Sequence, residues 1–149
     1  MPKRLIKVIF VLYIILLIRL IIFKYPWDYL LSILKEWDEE LVQEGIRTAN
    51  LIPGKSIRMY IRYFPKLNGF ENLFGNVLAL VPLGYLLPQV SAGSRGPWET
   101  AGISIAFILG IELFQLFSGF GAFDVDDLFL NFTGALTGYG IYSCFYTQK

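Results

Sequence analysis

The chain has 149 residues, 55% of them hydrophobic and 17% charged, against about 25% charged in an ordinary soluble domain. Histidine is absent and cysteine occurs once, at Cys144, which excludes His-based zinc sites, an internal disulfide and a Ser-His-Asp triad. The net charge of +1 gives no reason to expect nucleic acid, no cofactor or metal is expected, and the length suits one domain over residues 1–149.

In chain order, the first predicted element is an apolar helix over 5–23, LIKVIFVLYIILLIRLIIF. Its entrance is basic (Lys3, Arg4, Lys7), as in a signal peptide. No small-residue cleavage site follows before Tyr25 and Pro26, so the helix is expected to be retained. Arg19 and Lys24 stand near its far end, where long side chains can snorkel. Next comes a segment over 24–72 that is neither linker nor low-complexity. Leu30, Ile33, Leu34, Trp37 and Leu41 recur at helical spacing among charges, which predicts an amphipathic helix lying on a membrane surface. A second short helix is expected over Ser56–Phe64, with Tyr60, Tyr63 and Phe64 suited to the interface. Three further apolar helices follow, at about 73–90, 99–117 and 125–146. Each approaches the ~20 residues that a bilayer crossing needs. Short Gly- and Ser-containing connections over 91–97 and 118–123 place consecutive helices antiparallel and adjacent.

The predicted fold is therefore an all-α membrane protein with four transmembrane helices and a long amphipathic-helix loop between the first and second. Four crossings put both termini on one side. The basic entrance favours a cytoplasmic side for them, which leaves the lone Cys144 near the reducing compartment. The expected location is a multi-pass position in a bacterial cell membrane.

The charges are unevenly placed. Residues 1–71 hold 11 Lys/Arg and 7 Asp/Glu, whereas residues 72–149 hold 2 and 5. Helix two begins, helix three ends and helix four begins on the long-loop side, so their polar residues meet at one end of the bundle. Asn68, Asn72 and Asn76 share a face of helix two with Ala79 and Leu83; Glu112 and Gln115 share one on helix three. On helix four, Asp124, Asp127, Asn131, Gly134 and Gly138 form one stripe. These stripes point to a polar cavity open to the loop. Two readings stay open for Asp124 and Asp127: cavity residues, or a helix cap complementing the helix dipole. Asn72 also suits a cap, and Asp126 is expected to be solvated. The Gly134–Gly138 pair has GxxxG spacing, which lets helices approach closely. Glu112 lies about 7–8 Å inside the end of its helix. A carboxylate there is costly unless partnered, and Arg47, Arg58, Arg62 and Lys66 are the loop cations nearest to hand.

The helix-four run, Gly121-Ala-Phe-Asp-Val-Asp-Asp-Leu-Phe-Leu-Asn-Phe-Thr-Gly134, resembles the D-[IV]-x-D-x-x-x-N-x-x-G signature of the VanZ-like family of bacterial membrane proteins. Glu112-Leu-Phe-Gln115 is similar to its E-x-x-Q. Asn76-Val-Leu-Ala-Leu-Val-Pro-Leu-Gly84 is similar to its N-x-[IVL]-x-[FL]-x-P-x-G, and Arg47-Thr-Ala-Asn-Leu-Ile-Pro53 to its R-x-x-N-L-x-P. The motifs stand in the family's order. Two positions depart: Gly121 replaces a common Arg, and Gly54 replaces a common aromatic after the loop proline.

The family is named for a protein that lowers susceptibility to teicoplanin, a lipoglycopeptide that acts on cell-wall precursors. The resemblance thus implies a role in antibiotic resistance or the cell envelope. Its partners would be membrane lipid and a cell-wall precursor or the glycopeptide, met at an outward-facing cavity of Glu112, Gln115, Asp124, Asp127, Asn131, Asn76, Arg47 and Asn50. An intramembrane enzyme acting on a lipid or phosphorylated envelope precursor is the alternative. Glu71, Glu112, Asp124 and Asp127 are oxygen ligands in type, and Arg47, Arg58 and Arg62 phosphate binders. No nucleophile motif or phosphate loop accompanies them. A purely structural assembly partner is the third reading.

Overall fold

A computed structural model of the chain describes residues 2–22, 26–64, 69–90 and 96–146. Lys24, Lys66, Asn68 and residues 91–95, all used in the sequence reading, lie outside them. Among the described residues seven helices follow in order: α1 Lys3–Ile22, α2 Trp27–Lys35, α3 Glu39–Thr48, α4 Lys55–Arg62, α5 Gly69–Val90, α6 Pro97–Ser118 and α7 Val125–Tyr146. Among the described residues there is no named strand; one isolated parallel bridge joins Asn50 to Asp124. Helices α5 and α6 are long and apolar enough to cross a membrane. Helices α1 and α7 match them in length to within two residues. However, α1 carries Lys3, Arg4, Lys7 and Arg19, and α7 opens on Asp126 and Asp127.

Local chemistry explains the boundaries. The predicted single amphipathic helix breaks into α2 and α3 because Asp38 turns to extended backbone. Its side chain then accepts the Leu41 N–H at 2.9 Å. This is a cap that competes with helix continuation. Leu30 and Ile33 are buried with Phe120, and Leu41 packs against them. Leu34 faces out, and Trp37 donates its ring N–H to the Phe117 carbonyl at 2.9 Å. Helix α6 starts with Gly96 as N-cap and Pro97 just inside, where a missing N–H costs nothing. It stops at Gly119, whose φ of 73° is left-handed. Helix α5 starts at Gly69 rather than near 73, so Asn72 is interior and does not cap it.

The centre of the molecule is the α5–α7 pair, which pack together more extensively than any other two helices. They run parallel. A Cβ on Gly134 would collide with the Val77 carbonyl, one on Gly138 with the Val81 carbonyl, and one on Gly84 with the Ala135 carbonyl. Three glycines thus bring two backbones into contact, as small residues do where helices must pack without a hydrophobic driving force. Helix α1 lies against α5, with Leu17, Leu80, Leu83 and Ile108 as the shared buried cluster. Tyr13 donates to the Ala79 carbonyl at 2.8 Å.

The burial pattern of α6 is inverted relative to a soluble helix. Thr100, Ser104, Ile108, Glu112 and Gln115 are its buried residues. Ile103, Ile105, Leu109, Leu113, Phe114 and Phe117 are exposed.

Candidate functional site

Two polar assemblies occupy the end of the bundle where α6 stops and α5 and α7 begin. The first is a cavity of about 350 Å³. Helix α5 lines it with Glu71, Asn72 and Asn76, α6 with Glu112 and Gln115, and α7 with Asp127 and Asn131. Leu20, Gly75, Ala79, Leu80 and Ile111 complete the wall. Spacing of three or four residues along each helix puts each pair on one face. Asn76 donates its amide to Asp127 at 2.6 Å. Glu112 is 1% exposed, and its Oε2 accepts the Asp124 backbone N–H at 3.1 Å. The loop cations expected to neutralise it do not line the cavity: Arg47, Arg58 and Arg62 are exposed, on α3 and α4. A helix-end amide is one donor that meets this carboxylate in their place.

The second assembly is a latch between the 50–57 loop and the start of α7. Asn50 N–H donates to the Phe123 carbonyl at 2.8 Å, and Val125 N–H donates to the Asn50 carbonyl at 2.9 Å. The Asn50 side chain donates to Ser56 Oγ at 3.0 Å and to Asp124 Oδ1 at 2.8 Å. Asp124 caps α7 by accepting the Asp126 N–H at 2.8 Å, and its other oxygen accepts a short bond from Ser56 Oγ. So Asp124 and Asn50 join each other beside the cavity, but they do not line it.

Asp126 corrects the sequence reading most sharply. Expected in solvent, it is 0% exposed. Its Oδ1 accepts Gly54 N–H at 2.6 Å; its Oδ2 accepts Ser56 N–H at 2.7 Å and Ile57 N–H at 3.1 Å. These are orphan amides of the first turn of α4, so the carboxylate meets both the donors and the positive end of the helix dipole. Gly54 has a φ of 81°, the left-handed region that disfavours larger residues, which gives a local reason for glycine after Pro53. Gly121 stands where a Cβ would press on the Gln115 side chain at 3.3 Å.

Tyr60 was read from sequence only as an interface aromatic. On α4 it is half-buried, and its phenol is pushed up to about 12 by burial and then by the charges of Asp127, Asp124 and Asp126. In the sequence Ser56 was read only as a helix start and Gly54 only as a departure from the family pattern, neither as a partner of a distant carboxylate. A helix start after Pro-Gly, without its own acidic cap, was the available sign that a distant carboxylate was needed. Among the described residues no cluster of three His, Cys, Asp or Glu side chains is arranged to hold a metal ion.

No curated protein and no solved structure matches the chain. The VanZ/LLP1 family model matches residues 10–146, and the chain, with the cavity and latch built from the motifs named above, belongs to that family.

Proposed function

We propose that the protein crosses a bacterial cell membrane four times, termini in the cytoplasm, and binds an envelope molecule in an outward-facing polar cavity. Support for the crossings comes from side-chain placement. All four long helices turn large apolar side chains outward, for example Leu12 and Ile15 on α1, Phe74 and Leu78 on α5, Leu113 on α6 and Leu136 on α7. Exposed apolar surface of that extent needs lipid or a partner to cover it.

The observation that carries the ligand reading is the lining. Seven polar side chains from three helices converge on one cavity, three of them carboxylic acids and four amides. No cation lines it. Such a wall fits amide, hydroxyl or ammonium groups rather than phosphate. A cell-wall precursor or the glycopeptide teicoplanin offers groups of that kind, and binding either would alter tolerance to the drug.

The test is expression in a susceptible Gram-positive host. Teicoplanin tolerance should rise more than vancomycin tolerance, and Glu112→Gln and Asp127→Asn should abolish the gain at unchanged protein level. No change in either tolerance with wild-type protein present in the membrane refutes the resistance reading. If both variants retain the full effect, the cavity is not the binding site.

A further inference from the structure

The outer face of α4 carries chemistry that neither the cavity nor the latch uses. Lys55, Arg58 and Arg62 lie at i, i+3 and i+7 and line a groove of about 280 Å³ with Ile52, Met59 and Tyr63. Among the described residues no carboxylate lines this groove. All three cations are exposed, and among the described residues none of them is ion-paired. Asp124 and Asp126, the acids that touch this region, are engaged on the other side of the helix by Ser56 and Ile57. The positive face is therefore left for something else. Apolar side chains stand among the cations: Ile52 is 63% exposed and Ile61 61%. Helix α4 is also held at a defined level. The Tyr60 backbone packs on Gly69, the first residue of α5, which is apolar and long enough to cross a membrane.

We propose that this groove binds the headgroup of an anionic phospholipid. Arg58 and Arg62 have the planar donor forks that match phosphate oxygens, and Lys55 adds a point charge. Ile52, Met59 and Ile61 enter the boundary between headgroups and acyl chains, as the apolar face of an interfacial helix does. The inference rests on the multi-pass reading for the level of the groove, and on the groove's own charge for the choice of ligand.

The experiment uses the full chain purified in neutral detergent and observed by native mass spectrometry. Phosphatidylglycerol, phosphatidylcholine and inorganic phosphate are titrated separately. Phosphatidylglycerol should bind in clear preference to phosphatidylcholine. A basic residue near an anionic headgroup is worth about fivefold, so Arg58→Gln should lose about that factor. The Lys55→Gln/Arg58→Gln/Arg62→Gln variant should lose the preference altogether. Equal binding of the two lipids, wild-type affinity in both variants, or displacement of the lipid by inorganic phosphate would each overturn the proposal. Alkaline extraction of membranes reports separately on the crossings: release of the protein refutes the multi-pass reading and leaves the lipid preference to be judged by itself.

Discussion

Replacing Asp126 with asparagine tests the latch directly. The carboxylate accepts three backbone N–H groups, two on Oδ2 and one on Oδ1. An asparagine keeps one acceptor oxygen. If that oxygen serves Ser56 and Ile57, the Gly54 N–H faces an amide nitrogen. Hydrogen bonds to a charged group contribute about 1.5–3 kcal/mol each, and a buried donor left unmet costs about as much. Loss of one bond and weakening of two others by neutralisation amounts to about 3 kcal/mol. That corresponds to an opening of the latch roughly a hundredfold more frequent. Hydrogen–deuterium exchange in detergent reads this opening at the amides of Gly54, Ser56 and Ile57. Exchange across the α5–α7 contact, at Ala135–Tyr139, should stay as in wild type, because those backbones are held by their own glycine packing. An increase below about threefold, under ~0.7 kcal/mol, would refute the reasoning. So would an equal rise in both regions, which would make Asp126 a support of the whole bundle rather than of α4.

Further outcomes follow from the same contacts. Gly138→Ala should lower the melting temperature, since its methyl would meet the Val81 carbonyl, at a cost of about 1–3 kcal/mol; Gly140→Ala, with nothing within 4 Å, should not. Gly54→Ala should cost about 1–2 kcal/mol from its left-handed φ and raise exchange at the same amides as Asp126→Asn. Tyr60 is protonated more tightly in the folded than in the unfolded chain, so its contribution is intact below pH 10 and is lost as pH rises toward about 12. Tyr60→Phe should remove one tyrosinate signal from those that titrate above the ordinary tyrosine range and flatten melting against pH in that window.

Much of the helix order was legible from composition and spacing. Residues 97–118 and 125–146 are helices because long apolar runs can satisfy their own backbone, and the expected limits, 99–117 and 125–146, lie within two residues of those found. Part of the cavity lining, though not Asp124, Arg47 or Asn50, was legible for a related reason. Periodicity puts Asn72 and Asn76, Glu112 and Gln115, Asp127 and Asn131 on single faces, and an apolar surround leaves those faces one direction to turn. The split between α2 and α3 was missed because Asp38 caps through a side-chain bond that hydrophobic spacing does not register.

The opening composition, few charges and no histidine, narrowed the chemistry by itself and put attention on the few late carboxylates. What those carboxylates do was decided by tertiary structure. Asp126 and Asp127 are neighbours in sequence, yet a helix turns about 100° between them. One therefore meets the amides of a loop seventy residues away, and the other accepts the Asn76 side-chain amide in the cavity wall. Nothing local to α7 says which loop will lie beside it. That depends on the close α5–α7 approach that Gly84, Gly134 and Gly138 permit, and on α4 resting against Gly69. Residue type set which groups needed a partner; only packing chose the partner.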